Sequence, residues 1–141
     1  MKYWQPYLDI GLCFFGTTVQ LMSTILVYEA DDLMRGLLEE WLSGAAYCVK
    51  AVPRCGGTSD VAADVVIVNI EMPKYGGTRV TDRIRAAHPG TPIIAISAQF
   101  RADLSTAGAI AQTLGVAQVM AKPLSRDALL AAVRAIIDPA T

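Results

Sequence analysis

The stretch VVIVNIEMPKYGG, residues 65–77, carries four β-branched apolar residues into a single amide and then into a loop punctuated by Pro73, Gly76 and Gly77. No polar residue alternates along Val65–Val68. That pattern belongs to a strand covered on both faces, so the sequence predicts the centre of a parallel sheet at this point. In open parallel sheets the chemistry gathers beyond the carboxyl ends of the strands. Asn69, at the tip of this strand, is therefore the first candidate functional residue.

Outward from this strand, apolar runs of strand length alternate with amphipathic stretches of helical length, the signature of parallel α/β architecture. Ile25–Tyr28 reads as the first strand. Asp31 or Asp32 is placed to cap a helix carrying Leu33, Leu37, Leu38, Trp41 and Leu42 on one face. Tyr47–Val52 reads as the second strand, stopped by Pro53. The turn-rich Arg54–Asp60 then leaves room for little more than one helical turn before Val65, so a helix there is expected to be short or missing. Thr78–Ala87 reads as a helix ended by His88-Pro89-Gly90, Pro92–Ser97 as the fourth strand, Asp103–Leu114 as an alanine-rich helix closed by Gly115, and Gln118–Ala121 as a short fifth strand. Ser125 is placed to cap a last helix that buries Leu129, Ala132, Val133, Ile136 and Ile137. His88 reads as helix-end punctuation.

With 141 residues the chain holds one ordinary core, and its 53% hydrophobic and 18% charged residues with a net charge of −1 give no electrostatic footprint for nucleic acid or an anionic membrane. Cys13, Cys48 and Cys55 show neither a CxxC pair nor a neighbouring histidine, so a disulfide framework and a zinc site are both disfavoured and reduced, cytoplasmic thiols fit. Residues 1–22 read as a leader and residues 23–138 as the domain. Tyr3, Tyr7, Ile10 and Phe14 recur at helical spacing beside Trp4, Leu8, Gly11 and Phe15, so the leader is expected to be a helix with an apolar stripe or a disordered extension. The polar Thr17, Thr18, Gln20, Ser23 and Thr24 in the uncharged stretch from Ile10 to Tyr28 argue against a membrane span, and no small-x-small site marks the leader as a signal peptide.

The strand ends are Glu29-Ala30-Asp31-Asp32, Asn69, Ser97-Ala98 and Lys122-Pro123. Together with Met72-Pro73 and Gly77 at matching spacing, they resemble the receiver domain of two-component response regulators over about 115 residues. The resemblance implies a flavodoxin-like (βα)5 fold with a five-stranded parallel sheet of order 2-1-3-4-5 and helices on both faces. In such receivers an aspartate ends the third strand and accepts a phosphoryl group from a kinase histidine. Two acids after the first strand help hold Mg²⁺, and a hydroxyl and a lysine after the fourth and fifth strands read the phosphate. A carboxylate serves as nucleophile, hard oxygens suit Mg²⁺, and a cation with a hydroxyl stabilises the transferred group.

Ser97 and Lys122 match that pattern as the phosphate-site pair, whereas Asn69 stands at the phospho-acceptor position and Ala30 at the second acid. Glu29, with Asp31 close by, makes up the acidic pocket, and Glu29 with the backbone carbonyl of Glu71 leaves only a poor magnesium site. An asparagine amide forms no acyl phosphate at neutral pH, because its nitrogen lone pair is delocalised and its oxygen carries no full charge. The expected molecule is a non-enzymatic, atypical receiver that signals by protein–protein contact and needs no cofactor. Its expected partners are signalling proteins, such as a histidine kinase or an output protein, or a second copy docking on the face of the fourth helix, fifth strand and fifth helix. Val119 replaces the aromatic switch residue many receivers carry there. Two alternatives stay open: a conventional phosphorelay receiver in which Asn69 is an engineered change or an unusual acceptor, and a flavodoxin-like small-molecule binder. The second lacks a Gly-rich phosphate fingerprint and a nucleophile–base pair.

Overall fold

The computed structural model describes residues 12–15, 18–21, 23–52, 62–70, 78–98 and 104–138. In chain order they form β1 (Leu12–Phe15), β2 (Thr18–Leu21), β3 (Thr24–Tyr28), α1 (Asp32–Gly44), β4 (Cys48–Val52), β5 (Val65–Asn69), α2 (Thr78–Ala87), β6 (Ile93–Ser97), α3 (Leu104–Leu114), β7 (Gln118–Ala121) and α4 (Arg126–Ile137). The five strands β3 to β7 make one parallel sheet in the order β4-β3-β5-β6-β7, which is 2-1-3-4-5 counted along the domain.

The continuous apolar runs explain that sheet. All five residues of β3, β5 and β6 are buried, and each strand alternates its side chains between two cores. On one face Ile25, Val27, Val65, Ile67, Ile94 and Ile96 pack against Leu38 and Leu42 of α1 and Leu129, Ala132 and Val133 of α4. On the other, Leu26, Tyr28, Val66, Val68 and Ala95 pack against Ile84 of α2 and Ala111 and Leu114 of α3. Asp64 fixes the register at the lower end of the sheet, since its Oδ2 accepts from the Thr24 N–H at 2.8 Å while its own N–H donates to the Thr24 carbonyl at 2.8 Å.

Two helix ends follow from local chemistry. Asp31 and Ser125 cap α1 and α4, accepting from the N–H groups of Leu33 and Ala128. At the other end of α1 the Tyr47 N–H donates to the Leu42 carbonyl and the Ala46 N–H to the Ser43 carbonyl, a Schellman motif with Ala46 at φ +70°. A side chain at that φ is strained. Ala46→Gly is expected to stabilise the fold by about 0.5–1 kcal/mol, read as a shift in the denaturant midpoint at constant slope.

Several expectations need correction. The apolar stripe of α1 is narrower than the sequence suggests: Leu33 is 82% and Leu37 41% exposed, and Met34, Leu38, Trp41 and Leu42 form the inner face. In the leader, Leu12–Phe15 and Thr18–Leu21 pair as antiparallel strands in the register Phe15↔Thr18, so Phe14 and Phe15 lie in a strand and not in a helix. The β-forming Cys13, Phe14, Phe15, Thr18 and Val19 around Gly16 favour that pairing over the 3.6-residue spacing. Tyr3, Tyr7 and Ile10 lie outside the described residues, as does most of the short segment expected to lack a full helix; its described part, residues 62–64, is not helical. Among the described residues no helix is long and apolar enough to cross a membrane.

His88 is more than punctuation. It is 6% exposed, and its Nε2 lies 2.7 Å from the hydroxyl of the wholly buried Tyr28, with the two rings edge to face. Burial holds its pKa below the ordinary 6.5. The unfolded chain therefore takes up this proton at a higher pH than the folded one. The His88 contribution to stability should be flat above about pH 7, fall below about 6.5, and level off once the folded ring is protonated. Tyr28→Phe leaves Nε2 without this partner and is expected to cost about 1–3 kcal/mol at neutral pH. Denaturant melts of the unaltered chain and His88→Gln between about pH 7 and 5.5 check the sign, because the substitution should flatten the slope.

Candidate functional site

The sheet ladder carries four polar residues to one edge. Tyr28 pairs with Val68, Asn69 with Ile96 and Ser97 with Ala121, and backbone bonds from Glu29 to Val52, Ile70 to Ile96 and Lys122 to Ser97 extend the ladder past the strand ends. Glu29, Asn69 and Ser97 are 1%, 8% and 1% exposed, so this edge holds a buried polar pocket.

Glu29 is its centre. One carboxylate oxygen, Oε2, accepts from Asn69 Nδ2 at 3.0 Å and from the Asp31 N–H at 3.1 Å. The other, Oε1, lies 4.0 Å from the Lys122 ammonium and has no hydrogen-bond partner among the described residues. Lys122 reaches the pocket from the edge of the sheet with 26% of its side chain exposed. Ser97 lies between the Asn69 and Lys122 strands, buried and already engaged.

Asp31 joins the pocket through its backbone only. Its exposed carboxylate caps α1, because it sits one residue ahead of the helix and turns back to the Leu33 N–H. Glu71 lies outside the described residues. A residue that sequence reasoning passed over completes the first loop: Arg35 Nη1 donates to the carbonyls of Glu29 at 3.0 Å and Ala30 at 3.4 Å, while Nη2 pairs with Asp32. The i, i+3 spacing of Asp32 and Arg35 was the available signal, but it reads equally well as an ordinary surface pair.

These residues do not fit a magnesium ion. Magnesium demands near-octahedral oxygen coordination. Among the described residues Glu29 offers the pocket's only side-chain carboxylate; Oε2 is taken up by two N–H donors and Oε1 faces an ammonium. Among the described residues no group of three His, Cys, Asp or Glu side chains could hold a metal.

An open parallel sheet with helices on both faces and a buried polar pocket beyond its carboxyl edge defines a flavodoxin-like α/β protein. Residues 25–134 match the family model of the response regulator receiver domain, and the chain belongs to that family. It is 34% identical over 108 residues to Regulator of RpoS from Escherichia coli K12, covering 71% of this chain and 30% of that protein. It is 28% identical over 117 residues to Response regulator MprA from Mycolicibacterium vanbaalenii, covering 80% of this chain and 49% of the relative. The chain thus spans less than half the length of these relatives. Among solved structures, a CheY-like receiver domain protein from Methanospirillum hungatei superposes with a TM-score of 0.68 at 18% identity, covering 84% of this chain and 95% of that one. A receiver domain protein from Clostridium thermocellum gives 0.67 at 21% identity, covering 84% and 96%.

Proposed function

We propose that this receiver domain works in two-component signalling as an atypical, non-enzymatic receiver, read by partner proteins and not charged by aspartyl phosphorylation. The observation that carries the reading is the bond from Asn69 Nδ2 to Glu29 Oε2 within a pocket whose strand tip offers an amide. The amide donates to Glu29, the one buried acid among the described residues, where a carboxylate would repel it. The Lys122 ammonium supplies the positive charge nearby, so the pocket is neutralised by its own side chains.

In this reading the signal passes through the surface. Leu33 and Leu37 are the large hydrophobics exposed among the described residues, one turn apart on α1 next to the pocket loop, and they offer an apolar contact separate from the face of α3, β7 and α4 on which receivers dock. The partners are signalling proteins such as a histidine kinase or an output protein. A cytoplasmic location suits Cys48, a buried thiol outside any disulfide.

The test is a backbone amide spectrum by NMR with Mg²⁺ and a small phosphodonor. The unaltered chain is expected to show no change at Glu29, Ser97 or Lys122, whereas Ala30→Asp/Asn69→Asp, with both missing acids restored, should show shifts spreading from residue 69. Phosphodonor-dependent shifts in the unaltered chain would overturn the reading.

A further inference from the structure

Leu33 and Leu37 stay exposed on α1, and Glu40 and Gly44 follow them seven and eleven residues after Leu33, so all four lie on one side of the helix. That side runs into an open groove of about 480 Å³ between α1 and α4. Glu40, Trp41, Gly44 and Ala45 line it from α1 and its C-cap, and Arg126 and Leu130 from the side of α4 turned toward α1. We propose that this groove is a homodimer interface, in which a second copy of the chain docks about a two-fold axis and Glu40 of each copy pairs with Arg126 of the other.

Charge selects the occupant. The groove carries an acid on its α1 wall and a base on its α4 wall, and no ion pair within the chain joins them. Among the described residues Arg126 meets only its neighbour Asp127, at 3.8 Å, with 63% of its own side chain exposed. A two-fold axis through the middle of the groove carries each acid onto the position of the other copy's base, so the same patch meets itself with both charges matched. A uniformly acidic or basic partner would match one wall and be repelled by the other. The net charge of −1 puts little long-range repulsion in the way of self-association. Apolar contact comes from the half-buried Trp41 and Leu130 on the groove walls and from Leu33 and Leu37 beside them. Gly44 gives access. A Cβ built there would meet nothing within 4 Å, so nothing inside the chain calls for a glycine in this last helical turn, whereas a helix arriving from outside gains a closer approach.

The experiment is sedimentation equilibrium of the full chain over a concentration series, with charge-swapped variants alongside. The unaltered chain is expected to form a dimer. Glu40→Arg and Arg126→Glu should each weaken dimerisation by about tenfold or more, since each swap sets two like-charge pairs across the two-fold axis. The double variant should recover the dimer, because the exchanged charges match again. Gly44→Gln, which has open space in the single chain, should keep the fold by circular dichroism and block the dimer by filling the groove. Arg126→Glu keeps its helix intact as well, since an acid in the first turn of α4 suits the helix dipole. An unaltered chain that stays monomeric throughout the series overturns the proposal and leaves the groove to another kind of partner. A dimer indifferent to the single swaps and to Gly44→Gln uses a different face and overturns it too, as does a double variant no better than either single one. The readout is the mass of the assembly and does not depend on the charge of the strand tip, so failure of this proposal and failure of the receiver reading are separate results.

Discussion

Asn69→Asp is expected to destabilise the folded chain by about 3 kcal/mol at neutral pH. It would replace an N–H donor 3.0 Å from Glu29 Oε2 by a second carboxylate in a pocket where the two residues are 8% and 1% exposed. Two like charges at ~4 Å repel by about 4 kcal/mol at an effective dielectric near 20, and Lys122 at the rim offsets part of that. The penalty should shrink as the pH falls toward the ordinary carboxylate range, about 4, because protonating the introduced acid restores a donor. Denaturant melts at two pH values measure it. A variant as stable as the unaltered chain at neutral pH would show that the amide does not relieve charge in this pocket.

The core responds on a similar scale for a different reason. Ile67 has no exposed surface, lies in the central strand and packs in the cluster formed with α1 and α4. Ile67→Ala should cost about 3–4 kcal/mol, the lost transfer energy plus the cavity left between a rigid sheet and two helices. The loss should be the same at pH 7 and about 4, since no titratable group is removed. The contrast separates packing from electrostatics along one strand: residue 67 carries the sheet, and residue 69 sets the charge of its tip.

Much of this architecture was legible because the sheet is covered on both faces. Runs such as Val65–Val68 and Ile93–Ile96 read as strands without alternation, and the order of elements followed from the parallel pattern. The grouping of Glu29, Asn69, Ser97 and Lys122 was legible for the same reason: each lies just at or past the carboxyl end of a strand. What the sequence hid depended on contacts distant in the chain. The Tyr28–His88 pair spans 60 residues, and nothing local in His88-Pro89-Gly90 distinguishes a buried ring from a turn. Leu33 and Leu37 hid differently. They flank the inner stripe of α1, and periodicity alone does not say which edge of a wide apolar stripe meets the sheet. Arg35 was missed because two of its partners are backbone carbonyls of the preceding loop, which leave no pattern to read, and its i, i+3 pairing with Asp32 reads as an ordinary surface pair.

The central claim is that the strand tip cannot be charged, and its most direct measurement is the mass of the full chain before and after incubation with Mg²⁺ and a small phosphodonor. No phosphate should be added, at any concentration that fully modifies a receiver with an aspartate at the tip. One added phosphate, mapped to residue 69, would contradict it.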